Sequence, residues 1–152
     1  MNVKIITTAR ALILNEKKEL LLVSNGEKQN GKLLWFTPGG WLDGFEKLEE
    51  TCKREIFEET GLEIEVIKLY KIDYFQLTVK QNIKWKENIN KIEHYFLCKI
   101  VKGKILSTKD DENLWQDEDV GNTKFIKFFS KEEFLLKNNI IVPNWVANEF
   151  LK

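Results

Sequence analysis

The chain has 152 residues, enough for one domain with one substantial core and too few for a second domain of full size. It is 43% hydrophobic and 32% charged, a composition that excludes a disordered or membrane-embedded chain. The 24 Lys and Arg residues are balanced by 24 Asp and Glu, which argues against the basic stripe of a DNA binder. No stretch approaches the roughly 20 apolar residues of a membrane span, and MNVKIITTAR lacks the apolar core of a signal peptide. The expectation is a single cytoplasmic domain, residues 1–152, that meets neither membrane nor nucleic acid.

In chain order, KIITTARALILN is β-branched and apolar, NEKK supplies a turn, and ELLLVSN follows, which predicts a strand pair. GEKQNGK reads as a flexible polar loop. LLWFT predicts a short strand that stops at Pro38-Gly39-Gly40, where sheet pairing should end. From about Lys47 to Thr60 the composition turns helical, with Gly61 where a left-handed C-cap belongs. EIEVIKLYKIDYFQLTV predicts a long, bulged or bent strand, QNIKWKENINK a polar connector, and IEHYFLCKI a strand that pairs back.

The acidic stretch TKDDENLWQDEDVGN reads as a loop and TKFIKFFS as a strand. Ser130, with Glu133 three positions on, predicts a capping-box start for a helix over EEFLLKN, and Pro143 opens a last short helix. The order β-β-β-α-β-β-β-α(-α) describes an α+β fold: a mixed sheet with helices packed on it.

Cys52 and Cys98 lie 46 positions apart with no clustered histidine, so they read as small buried hydrophobes of a reducing compartment rather than zinc ligands or a disulfide. His94, the one histidine, sits in an apolar strand pattern, which excludes most histidine-based catalysis.

The informative segment is GGWLDGFEKLEETCKREIFEETGL. On a helix, Glu55, Glu58 and Glu59 are i, i+3 and i+4 neighbours, three like charges that cost a few tenths of a kcal/mol per pair in isolation. Leu48, Cys52 and Ile56 recur at i, i+4 and i+8 as a core-facing stripe beside that acidic flank. Divalent cations, which prefer carboxylate and carbonyl oxygen, would turn the repulsion into shared coordination. Arg54 is one of only two arginines in a lysine-biased chain, which points to a need for its bidentate fork; at i, i+4 it reaches Glu58 and orients carboxylates.

This segment resembles the Nudix box, G-x5-E-x7-R-E-U-x-E-E-x-G-U with U aliphatic. Gly40, Glu46, Arg54, Glu55, Ile56, Glu58, Glu59, Gly61 and Leu62 fill every defined position. The resemblance implies a Nudix fold, an α/β/α sandwich of mixed sheet and helices, over the whole chain. It implies that Glu58, Glu59, Glu55 and the Gly40 carbonyl hold Mg²⁺ or Mn²⁺, with Glu46 acting from behind them and Arg54 locking the carboxylates. It further implies metal-dependent hydrolysis of a nucleoside diphosphate linked to another moiety, by water attack on phosphorus. Glu55 is the base candidate inside the box, and the loop holding Asp110, Asp111, Glu112, Asp117, Glu118 and Asp119 is the alternative source.

Substrate choice lies outside the box. No proline or tyrosine stands where the ADP-ribose and dinucleoside polyphosphate subfamilies carry theirs, so a nucleoside triphosphate is favoured over ADP-ribose or another nucleotide sugar. Trp41, Tyr74, Phe75, Trp85 and Trp115 could stack on a base, and Arg10 could reach a phosphate. A non-catalytic nucleotide-sensing module, or a relative of isopentenyl diphosphate isomerase, is the competing class. The resemblance also allows a homodimer, since many Nudix proteins form one.

Overall fold

The computed structural model describes residues 2–80, 86–105, 123, 125–136 and 139–152. In chain order the elements are β1 (Val3–Ile13), β2 (Leu20–Ser24), β3 (Lys28–Gln29), β4 (Lys32–Phe36), β5 (Gly39–Trp41), α1 (Leu48–Thr60), β6 (Glu63–Leu77), β7 (Asn88–Lys102), β8 (Phe125–Phe129), α2 (Lys131–Leu136), β9 (Ile140–Val142) and α3 (Asn144–Phe150). They form a mixed four-stranded sheet, β5-β1-β7-β6, and a second sheet in the order β3-β4-β2-β8, with β9 paired to β4. In the first sheet β1 and β7 run parallel, while β5 and β6 flank them antiparallel.

The apolar runs of β1 and β2 are explained by burial on both faces. Ala9, Ala11 and Ile13 join Leu21, Val23, Cys52, Ile56, Phe96 and Cys98 in one core cluster beneath α1. Leu12, Leu20 and Leu22 join Trp35, Tyr95, Phe125, Phe129, Val146 and Leu151 in the other. Successive strand residues thus feed opposite cores, which is what a period of two does when both faces are covered.

Five sequence readings are corrected. β1 and β2 do not form a ladder: beyond one bridge, Leu14 to Leu20, they part into different sheets. The turn between them is built by the Asn15 side chain, whose Oδ1 accepts from the N–H of Lys17 at 3.0 Å and of Glu19 at 2.9 Å. GEKQNGK is not an open loop but the tip of a β3-β4 hairpin, turned at Asn30 (φ 53°) and Gly31 (φ 77°), the Asn-Gly chemistry of a tight turn. Gly39 and Gly40 continue sheet pairing: β5 lies against β1 with Arg10 opposite Gly39. A Cβ on Gly39 would come within 2.2 Å of the Ala9 carbonyl oxygen, so glycine lets β5 lie this close. β7 begins at Asn88, inside the expected connector, and β9 is an added strand.

Other readings agree with the structure. Gly61 ends α1 in the left-handed conformation (φ 80°), donating its N–H to Phe57 O. β6 carries register shifts at Val66/Lys68 and Leu69/Lys71, the anticipated bulges. Ser130 Oγ accepts from Glu133 N at 3.1 Å and caps α2. Pro143 stands immediately before α3 as its N-cap residue. Among the described residues no helix is long and apolar enough to cross a membrane.

Candidate active site

α1 sets the site because its buried flank fixes its rotation. Cys52 and Ile56 are fully buried and Leu48 packs beside them, so the other flank of α1, which carries Glu55, Glu58 and Glu59, is turned to the rim where α1 meets β5. Cys52 and Cys98 are both buried free cysteines. The Cys52 thiol is held against Cys98, which with burial pushes its pKa up; the pair is inert packing, as the sequence indicated.

Arg54 organises the acids. Its Nε and Nη2 donate to the two oxygens of Glu46 at 3.0 and 2.6 Å, a bidentate fork. Its Nη1 donates to Glu55 Oε1 at 3.0 Å and to Glu58 Oε2 at 3.3 Å, and its Nη2 also reaches the Trp41 carbonyl at 3.4 Å. Glu46 accepts further from Thr51 Oγ1 at 3.0 Å and from the Asp43 N–H at 3.3 Å. The Arg54 guanidinium, with these donors, holds the Glu46 carboxyl down to about 2. Arg54 in turn is held firmly protonated by Glu46.

Glu59 turns the other way, accepting from the Gly39 N–H at 3.3 Å and from Thr123 Oγ1 at 3.0 Å. Loss of hydration pushes its carboxyl up to about 7, against the pull of Thr123, Arg10 and the Gly39 N–H. Sequence reasoning missed Thr123 and Thr51. Thr51 had a local signal, five residues after Glu46, whereas Thr123 lies 64 positions from its partner.

The donor set fits a hard divalent cation. A Cβ on Gly40 would fall 2.2 Å from Glu55 Cδ and 2.5 Å from both its carboxylate oxygens, so the Glu55 carboxylate rests directly against the Gly40 backbone. The same helix also carries exposed Glu58 and the desolvated carboxylate of Glu59, so it supplies anionic oxygen, the donor chemistry of Mg²⁺ or Mn²⁺. Among the described residues, no three Asp, Glu, His or Cys side chains already converge into a cage. Glu55 and Glu58 share Arg54, and Glu59 is held apart from them by Thr123 and Gly39.

The predicted substrate contacts divide. Arg10 and Tyr74 come together in a cleft of about 170 Å³, with Phe36, Phe75, Glu93 and Tyr95 among its walls. Arg10 Nη2 lies 3.5 Å from Glu93 Oε1, so its charge faces a carboxylate. Trp41 is not a wall of this cleft; 40% exposed on β5, it has the Lys4 ammonium 5.8 Å from its ring centroid. Trp115, Trp85 and the acids Asp110, Asp111, Glu112, Asp117, Glu118 and Asp119 lie outside the described residues. His94 is a half-buried strand residue whose Nδ1 is 3.2 Å from the Thr8 carbonyl oxygen.

Comparison with known proteins agrees with this architecture. A family model described as the NUDIX domain matches residues 4–147, and the chain belongs to that family. Its sequence is 29% identical over 113 residues to the 8-oxo-dGDP phosphatase of Danio rerio, covering 70% of this chain and 30% of that protein. The chain matches between 26% and 33% of the length of its curated relatives. A Nudix hydrolase from Nitrosomonas europaea superposes with a TM-score of 0.66, at 20% identity, over 95% of this chain and 85% of that one. An ADP-ribose pyrophosphatase from Streptococcus suis superposes with a TM-score of 0.57, at 23% identity, over 96% and 86% of the two chains. At these identities the two structures speak to the fold alone.

Proposed function

We propose that this chain is a metal-dependent pyrophosphohydrolase that cleaves a nucleoside diphosphate linked to a further moiety, with a nucleoside triphosphate as the favoured substrate. The observation that carries the reading is the gathering of Glu46, Glu55 and Glu58 by one arginine, with a further, desolvated glutamate, Glu59, on the same helix as Glu55 and Glu58. Such crowding of like charge on one helix flank opposes stability unless cations share it. A sequence relative named for 8-oxo-dGDP phosphatase activity is consistent with cleavage of a nucleotide diphosphate bond.

In this reading Glu55, Glu58, Glu59 and the Gly40 carbonyl hold Mg²⁺ or Mn²⁺, which supplies neutralisation of charge on the diphosphate and a more acidic water. Arg54 keeps Glu55 and Glu58 facing the same point, and Glu46 anchors the far side of its fork. Glu55, fixed against the Gly40 backbone, takes the proton of the attacking water. The water oxygen bonds to phosphorus as the bridging P–O bond breaks, and the departing phosphate carries away the electron pair.

The test is release of phosphate or pyrophosphate from a panel of nucleoside triphosphates, ADP-ribose and nucleotide sugars, with and without Mg²⁺. Release that needs Mg²⁺ and falls at least ~100-fold in Glu58→Gln and Glu59→Gln is expected, since an outer-shell partner alone is worth about 10- to 100-fold. Unaltered rates in both variants would overturn the metal assignment. Tight nucleotide binding with no release from any substrate would instead make the domain a sensor.

A further inference from the structure

The alternation of β1 gives the four-stranded sheet two different faces. Ala9 and Ala11 face α1, so Thr8, Arg10 and Leu12 stand on the opposite face. The strand registers place Trp41, Thr8, Glu93 and Asp73 in one row across β5, β1, β7 and β6, with Arg10 and Tyr95 paired one row over. The cleft lies here, and it touches the box: Arg10 is opposite Gly39, whose N–H holds Glu59.

The cleft's chemistry is specific. Its flat apolar walls, Phe36, Phe75 and Pro143, suit the faces of a planar ring. Within it Glu93 is fixed by the Tyr95 hydroxyl, which donates to Oε2 at 2.9 Å. Arg10 approaches Glu93 Oε1 at 3.5 Å and the Thr37 carbonyl at 3.5 Å. Both contacts are long against the 2.7–2.9 Å of a saturated charge-assisted bond. An ionised carboxylate has about four acceptor positions, so Glu93 retains capacity for further donors, and Arg10 has five N–H groups. In the same row Thr8 Oγ1 is buried without a hydrogen-bond partner.

An acceptor pair beside a donor, between apolar walls, complements one base edge above others. Guanine presents adjacent N1–H and N2–H donors beside its O6 acceptor. Adenine and cytosine present a ring-nitrogen lone pair where the carboxylate stands, and uracil has one N–H between two carbonyls. We propose that this cleft is the base-reading site and that it selects guanine-type nucleotides, Glu93 accepting from N1–H and N2–H while Arg10 donates to O6. Oxidation of guanine at C8 leaves that edge intact, so oxidised guanine nucleotides fit equally. The inference deepens the hydrolytic reading and rests on it for the site's use, while the recognition itself is testable without turnover.

The experiment measures equilibrium binding of GMP, IMP, AMP and CMP to the full chain, together with hydrolysis of the corresponding triphosphates. GMP should bind about tenfold or more tightly than IMP, which lacks the 2-amino group, and more tightly still than AMP or CMP. Glu93→Gln should erase the GMP preference by about tenfold or more while the melting temperature stays within a few degrees. Equal affinity for the four nucleotides in the wild-type chain, or a GMP preference that survives in Glu93→Gln, overturns the assignment. GMP selectivity without hydrolysis of any triphosphate upholds the base site and removes the hydrolytic reading. Hydrolysis with no base preference does the reverse.

Discussion

Arg54 makes contacts that a lysine cannot copy, because three separate nitrogens of one rigid plane each face a different acceptor. Nε and Nη2 grip Glu46, while Nη1 serves Glu55 and Glu58. A lysine ammonium is a compact point charge and could satisfy one carboxylate at a time. If Glu55 and Glu58 hold a metal as proposed, Arg54→Lys is expected to keep its helical circular dichroism and lose about 10- to 100-fold in kcat, the usual consequence of disordering groups behind a metal ligand. Full activity in that variant would show that the fork is merely a surface ion pair.

Gly40 argues the same point from the other side. A methyl group there would have to displace the Glu55 carboxylate, since its Cβ would stand 2.2 Å from Glu55 Cδ. Overpacking of this kind costs about 1–3 kcal/mol. Gly40→Ala should lower the melting temperature measurably and reduce kcat further than that loss of folded protein explains. Of these contacts, the Arg54–Glu58 pair was legible at i, i+4, and Glu46 and Gly40 were legible through the box spacing. Thr123 on Glu59 and Glu93 on Arg10 were not, because partners 64 and 83 positions apart meet only once the sheets have formed.

Among elements, the ones that read clearly were those whose instructions are local. α1 announced itself by composition, its apolar stripe and Gly61. β5 did not, since a Pro-Gly-Gly run carries no strand propensity and is strand only because β1 lies beside it with room for nothing larger. The separation of β1 from β2 was equally hidden, for both runs are rich in apolar residues and periodicity cannot tell which sheet each will enter.

α3 shows how an amphipathic element too short to fold alone is held. Trp145 donates its indole N–H to Asp73 Oδ2 at 3.0 Å, and its ring stacks with Tyr70 at 6.2 Å between centroids. Glu149 receives the Tyr70 hydroxyl and lies 3.5 Å from Lys71 Nζ. The Tyr70 hydrogen bond, then Lys71, lowers the Glu149 pKa below its ordinary value. A carboxyl whose folded pKa is depressed contributes stability that is complete above its unfolded value near 4.3 and disappears as pH falls through the lower, folded one. Glu149→Gln should therefore melt below the wild type at pH 7, and the gap should close as both are acidified through the lowered, folded pKa. A gap that stays constant across that range would mean the carboxylate charge plays no part in docking α3.

At the scale of the molecule, the fold separates what makes the helix stand from what would make it react in the proposed hydrolysis. Ile56 is fully buried between the sheet and α1, flanked in sequence by Glu55 on one side and Phe57 on the other. Its side chain touches the core shared by β1, β2, β7 and β8, whereas the acids one position before it and two after it are oriented by Arg54 at the rim. Truncation to alanine removes apolar contacts and leaves a cavity, which for buried isoleucine costs about 2–5 kcal/mol. In a domain of this size that corresponds to a fall in melting temperature of roughly 5–20 °C. The Arg54 fork and the Gly39 N–H to Glu59 are made by other atoms, so kcat/KM measured well below the lowered transition should stay within a few fold of the wild type. Adding Mg²⁺ with a nucleotide should raise both melting temperatures by a similar increment, because a ligand that binds only the folded state adds RT ln(1 + [L]/Kd) whatever the starting stability. If Ile56→Ala instead lost activity in the cold while melting normally, core packing and carboxylate placement would be one property, and the rim geometry would have to be traced to α1 itself rather than to its arginine.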